Sequence, residues 1–172
     1  MGDLNDLDVD WLIANGRKQK CVPGDTLIQE GIPMEALFII LDGSFSVTIA
    51  RGNRQLAKLG PGEIAGEISF VDHRAPTATV KALEHSIVLS IPRQQLDLKL
   101  KQDTGFAARF YRALAVFLSD RLRRTARQMG YADGKPMPED KEAEDDLEGS
   151  LLDNLHLAGA RFNRMLKRLL GG

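Results

Sequence analysis

The sequence predicts a mainly β domain, a closed barrel or jelly roll, with helices on either side of it. Three observations lead there. Between Lys18 and Arg93 the chain breaks into short apolar stretches separated by glycine-rich turns. Before and after that region, apolar residues recur at steps of three and four, the period of an amphipathic helix. The middle region lacks the alternation of strand and helix patterns that a parallel sheet needs.

The elements follow in order. Leu4 to Ala14 carries apolar Leu4, Leu7, Val9, Trp11, Leu12 and Ile13 with acidic residues between them, a short helix ending at Gly16. Strands are expected at Thr26 to Gln29, Leu37 to Leu41, Phe45 to Ile49, Leu56 to Leu59, Thr79 to Leu83 and Ile87 to Ile91. Turn residues separate them at Pro23-Gly24-Asp25, Gly31-Ile32-Pro33, Asp42-Gly43, Arg51-Gly52-Asn53, Gly60-Pro61-Gly62 and Glu84-His85-Ser86. Asp42-Gly43 between two apolar runs predicts a tight hairpin. Strands stop at Pro92, and Arg93 to Leu100 reads as a short helix. Asp103 or Thr104 can cap a long helix running to about Met129, with a stripe at Ala107, Phe110, Leu114, Phe117, Leu118 and Leu122. That stripe either packs on the barrel or forms the seam of a homodimer through helix 105–129.

The last part changes character again. Domain boundaries are expected at 1–130 for the folded domain, 131–149 for a linker and 150–172 for a C-terminal helix. From Glu139 to Glu148 there are seven acidic residues against one lysine, a composition that favours disorder. The tail returns to helical periodicity at Leu151, Leu155, Ala158, Phe162, Met165 or Leu166, and Leu169, beside the basic residues Arg161, Arg164, Lys167 and Arg168. Its apolar positions Leu151, Leu155, Phe162, Leu166 and Leu169 suit docking to a protein effector, or folding back onto the chain's own barrel or a neighbouring subunit. An anionic membrane surface fits less well, because the stripe is narrow and only four cations flank it.

Composition bounds the function. With 172 residues there is room for one domain and appendages. The net charge of −1 gives no general attraction to nucleic acid, so such a partner would need a local basic patch. Arg121, Arg123, Arg124 and Arg127 read as a solvated helix face. Cys21 is the lone cysteine, which excludes an internal disulfide and suits a reducing compartment. With an acidic N-terminus and no long apolar run, the expected location is cytoplasmic. His73, His85 and His156 show no ligand spacing, and no nucleophile–base pair can be assembled, so an enzyme is not expected.

The segment that carries chemistry is Gly60 to Ala82, GPGEIAGEISFVDHRAPTATVKA. It reads as a glycine-rich bend, a helical turn at Glu67 to Phe70, a loop and a strand. Amides at such a turn can converge on an anion. Gly66 permits close backbone approach, Glu67 offers a carboxylate to a sugar hydroxyl, and Ser69, Thr77 and Thr79 offer hydroxyls. This stretch resembles the phosphate-binding cassette of the cyclic-nucleotide-binding domain family, which includes bacterial catabolite activator proteins, kinase regulatory subunits and cyclic-nucleotide-gated channels. Its G-E-I stands at Gly66-Glu67-Ile68 and its A-T-V at Ala78-Thr79-Val80. Further likeness lies in Pro23 to Gly31 (PGDTLIQEG), Phe38 to Val47 (FIILDGSFSV) and the helices after Pro92.

The resemblance, which covers about residues 8 to 130, implies an eight-stranded β-roll, a double-stranded jelly roll, followed by a long helix; the C-terminal amphipathic helix follows from the periodicity of the tail. The resemblance also implies a regulatory module holding cyclic AMP or cyclic GMP at Gly66, Glu67, Ile68, Ser69, Thr77 and Ala78, with no other cofactor; Arg74, in the same loop, is a further candidate for the site. Glu67 would accept from the ribose 2′-hydroxyl, while the backbone of Gly66 to Ser69 and the Thr77 hydroxyl would face the cyclic phosphate. One position departs from the pattern: Pro76 stands where the family has its phosphate-pairing arginine. A charge-assisted hydrogen bond contributes roughly 1.5–3 kcal/mol, so its loss corresponds to about ten- to hundredfold or more in affinity. Three alternatives stay open: Arg74 supplies the guanidinium, the ligand is a different nucleotide such as a cyclic dinucleotide, or the site is empty and the fold serves as an adaptor scaffold. Family transcription factors follow the long helix with a helix-turn-helix. The residues after Met129 hold one helix, which argues against sequence-specific DNA binding.

Overall fold

The structure, a computed structural model, describes residues 3–50, 54–132 and 161–171. It begins with α1 (Asp6–Asn15). The Asn5 side chain accepts from the Asp8 amide at 2.9 Å while the Asp8 carboxylate accepts from the Asn5 amide at 2.8 Å. This reciprocal box satisfies N–H groups that a helix start otherwise leaves open. Then come β1 (Arg17–Cys21), β2 (Thr26–Ile28), β3 (Ala36–Asp42), β4 (Phe45–Ile49), β5 (Arg54–Leu59), β6 (Ile64–Ala65), α2 (Glu67–Asp72), β7 (Thr79–Ala82) and β8 (Ser86–Pro92). α3 (Arg93–Gln102) and α4 (Thr104–Ala132) complete the continuous part, and residues 161–170 form a further helix, α5.

The eight strands make two four-stranded antiparallel sheets, in the orders β1-β8-β3-β6 and β2-β7-β4-β5. β3 and β8 sit inside the first sheet and are covered on both faces. Phe38, Ile40 and Val88 point between the sheets, with Phe45, Leu59 and Val80 opposite. Leu37, Ile39, Leu41, Leu89 and Ile91 point the other way, under a layer of helices. Burial on both faces explains why these two segments read as unbroken apolar runs rather than alternating ones.

Two strands escape the sequence pattern. β1 (RKQKC) is polar and mostly exposed because it is an edge strand, pairing β8 on one side only; cations on an edge discourage pairing with another chain. β6 has two residues, too few for a period. The hairpin expected at Asp42-Gly43 is absent. β3 pairs with β6 and β8, whereas β4 pairs with β5 and β7. The turn, with Gly43 at φ 81°, is a corner where the chain passes from one sheet to the other. Local turn chemistry is the same in both cases, so only the sheet partners distinguish them.

Of the α4 stripe, Phe110 and Leu114 are buried, and Phe106 and Ala113 join them in the helical layer. Leu122 lies outside it at 70% exposure. The first half of the stripe therefore packs on the protein's own core. α1 is tied to α4 by the Asp8 carboxylate, which accepts from Arg109 Nε at 2.6 Å and Nη2 at 2.8 Å. Burial works against the Asp8 charge, but Arg109 and the Asn5 amide outweigh it and hold the carboxyl below its ordinary value. Arg112 reaches Asp3 at 2.8 Å.

The tail folds back. Met165 is fully buried, and Phe162, Leu166 and Leu169 pack against the same cluster as Phe106 and Phe110. Of the alternatives expected for these three, docking on a partner or folding back onto the chain's own domain, the structure has the second, because the core leaves an apolar face beside α1 which the amphipathic helix fits. Leu151 and Leu155 lie outside the described residues, as does the expected linker 131–149 apart from the end of α4. Among the described residues, no helix is long and apolar enough to cross a membrane.

Candidate functional site

β6 runs into α2 through Gly66, which takes φ 90° and ψ 3°, a left-handed conformation that glycine adopts without a Cβ clash. A Cβ there would lie 2.5 Å from Met34 Sδ. Gly66→Ala is therefore expected to destabilise the protein by about 1–3 kcal/mol, read from the urea midpoint, and to shift α2. The turn places Gly66 and the first residues of α2, whose amides have no intrahelical acceptor, along a cavity of about 170 Å³.

All seven residues expected from the sequence line that one cavity. Gly66, Glu67, Ile68 and Ser69 enter from the α2 side; Arg74, Thr77 and Ala78 enter from the loop before β7. Ile28, Val47 and Val80 supply an apolar wall from the second sheet. The cavity is thus polar along one rim and apolar along the other. That distribution suits a ligand with an anionic end and a flat apolar body.

Pro76 is buried in the rim, and its carbonyl accepts from the Gly31 amide at 2.8 Å. It fixes the loop but offers neither cation nor donor. Arg74 lines the same cavity from an exposed loop position, and its guanidinium has no ion-pair partner among the described residues.

Glu67 is 2% exposed. Its Oε1 accepts from Nη1 of Arg121, which reaches down from α4 and also donates from Nη2 to the Ile64 carbonyl at 2.8 Å. Burial pushes the Glu67 carboxyl above its ordinary value, and the Arg121 charge pulls it partly back. Arg121 and the Glu67 amide both donate to this carboxylate, whose remaining lone pairs can still accept a hydroxyl. Arg121, which also stacks over Phe117 at 4.5 Å, is the residue that sequence reasoning missed. The sequence pattern places it with Arg123, Arg124 and Arg127 on a solvated face. Its spacing held the signal, since Arg121 is seven residues beyond the buried Leu114 and so shares its side of the helix.

The floor of the site is held from behind by Arg93, at the start of α3. Its guanidinium donates to the carbonyls of Ser69 at 3.2 Å and Phe70 at 3.3 Å, and lies 5.4 Å from the Phe70 ring centroid. α2 is therefore fixed to both α3 and α4. Among the described residues, no cluster of His, Cys, Asp or Glu could hold a metal ion.

Residues 18–103 match the family model of the cyclic nucleotide-binding domain. The chain belongs to that family. A cGMP-dependent protein kinase of Toxoplasma gondii is 32% identical over 75 residues, 44% of this chain and 7% of the kinase. The Cyclic AMP receptor protein of Thermus thermophilus is 28% identical over 90 residues, 51% of this chain and 42% of the receptor. A cyclic nucleotide-binding domain from Methylobacillus flagellatus superposes with a TM-score of 0.69 at 22% identity, covering 79% of this chain and 76% of the other. The chain thus spans under half the length of these two curated relatives. As a cyclic nucleotide-binding domain, it carries a regulatory fold whose matched stretch contains the entire cavity rim from Gly66 to Ala78. Arg121 lies beyond that stretch, on the helix that follows it.

Proposed function

We propose that this protein binds a cyclic nucleotide in the cavity between α2, the second sheet and α4, and passes the occupancy through α4 and the C-terminal helix to a partner. The observation that carries this reading is the convergence of the seven cassette residues on one cavity. Glu67 accepts the ribose hydroxyl through a carboxylate lone pair that Arg121 leaves open. The first-turn amides of α2 and the Thr77 hydroxyl face the cyclic phosphate, and Arg74 provides the cation that position 76 lacks. Relatives named for cyclic GMP and for cyclic AMP both match this chain, so both are candidate ligands. The exposed Leu122 and Tyr111 of α4 support a homodimer through helix 105–129. The lone, buried Cys21 fits a cytoplasmic location.

Thermal unfolding with cyclic AMP, cyclic GMP and cyclic di-GMP tests the reading. A ligand at a hundredfold excess over its dissociation constant adds about 2.7 kcal/mol to stability. Glu67→Ala is expected to remove the shift, and Arg74→Ala to weaken binding about ten- to hundredfold. No shift with any of the three would overturn it. Pro76 favours the second reading in that event: a ligand-free adaptor in which the fold is a scaffold and the C-terminal helix the attachment point.

A further inference from the structure

α5 is joined to the rest of the chain by ion pairs as well as by apolar packing. Its arginines meet the acidic face of α1: Arg164 reaches Asp6 at 2.5 Å and Asp10 at 3.3 Å, Arg168 pairs with Asp10, and Arg161 lies 3.7 Å from Asp6. Lys18, on β1, donates to the Leu169 carbonyl at 2.6 Å, near the end of the helix, where carbonyls lack intrahelical donors and a cation is favoured. Between the ion pairs, Met165 enters the helical-layer core.

That core continues to the cassette. It contains Met165 from α5, Phe106 and Phe110 from α4, and Phe70 from α2. Phe70 and Phe110 meet edge to face at 6.0 Å, Phe110 and Phe106 stack at 5.8 Å, and Trp11 of α1 closes on Phe106 at 5.4 Å. The charged contacts follow the same route. α5 is paired to α1, α1 to α4 through Asp8 and Arg109, and α4 to the cassette through Arg121 and Glu67.

From this continuity we infer that α5 is a clasp: docked on α1, it holds α4 against the cassette in the arrangement that has Arg121 on Glu67. Docking of the clasp and occupancy of the cavity then favour each other, and by linkage each raises the other's affinity by the same factor. A partner that captures α5 works in the opposite direction and loosens the cassette. The part concerning ligand affinity rests on the cyclic-nucleotide reading above, but the coupling of α5 to the cassette does not.

Amide hydrogen exchange on the full chain tests it, with R164E/R168E, D10R, and the combination of all three. The altered side chains are at least one-third exposed, so the β-roll should fold in each. Asp10 touches both arginines, so the combined variant restores the Asp10 pairs with reversed sign, while the contact of position 164 with Asp6 becomes repulsive. R164E/R168E and D10R are expected to speed exchange at 161–170 and also at 64–70, and the combined variant to slow both in part relative to R164E/R168E. With cyclic AMP or cyclic GMP, whichever shifts the wild type, the released variants should bind about tenfold more weakly, and saturating nucleotide should slow exchange at 161–170. Faster exchange at 161–170 with none at 64–70 would overturn the clasp, as would unchanged or tighter nucleotide binding in the released variants. If none of cyclic AMP, cyclic GMP and cyclic di-GMP binds the wild type or any variant, the sensing reading fails, and exchange at 64–70 alone decides the coupling.

Discussion

Arg121→Ala is expected to lower stability by about 3 kcal/mol near neutral pH, the lower end for breaking a buried ion pair, because Arg121 itself keeps a quarter of its side chain in solvent. The loss comes from what stays behind: a Glu67 carboxylate almost wholly out of water with no cation beside it. The variant can relieve this by taking up a proton, which gives the effect a pH signature. Already raised by burial in the wild type, the Glu67 carboxyl rises further once Arg121 is gone. Between its unfolded value and that higher folded value, the folded variant binds more protons than the unfolded chain, so its stability falls as pH rises through that interval. The gap between wild type and variant, measured by urea unfolding, should be narrower at pH 5 than at pH 8. Adding Glu67→Gln to the variant removes the buried charge and should recover part of the loss at pH 8. Equal gaps at both pH values would contradict the assignment of the pair.

Phe106→Ala is expected to be costlier, about 3–5 kcal/mol, and to lower the melting temperature by roughly ten degrees or more. Phe106 is completely buried and touches α1 through Trp11, its own helix through Phe110, and α3 through the Lys99 ammonium, 5.4 Å from its ring. Removing the ring opens a cavity where three helices meet, and no single one of them can move in without leaving the others. Trp11 is the sole tryptophan, so its fluorescence should report the change directly. A loss below about 1 kcal/mol would mean the helical layer can collapse around the gap, and that α1 is not anchored there.

The sequence pattern was most informative where one physical requirement acts alone. α1 is marked by its apolar spacing and by Gly16 at its end. α3 and α4 are separated by Asp103, whose carboxylate accepts from the Phe106 amide at 2.8 Å. The Gly66–Ala78 stretch is readable because its left-handed glycine, carboxylate and hydroxyls stand a few positions apart, and all seven expected residues share one cavity. β1 was not readable, because an edge strand has no buried face to impose a period. The Asp42-Gly43 corner was misread because a turn specifies how the chain bends and not which strand lies alongside.

What the sequence determined by itself was the layout of short strands, the helices around them, and the local geometry at Gly66 and Glu67, since these depend on residues a few positions apart. The tertiary structure decided which charges meet. Arg121 reaches Glu67 across 54 positions and Arg164 reaches Asp6 across 158. Charged side chains leave no period that names a partner, so whether an arginine is solvated or neutralises a buried carboxylate depends on which elements the fold brings alongside it.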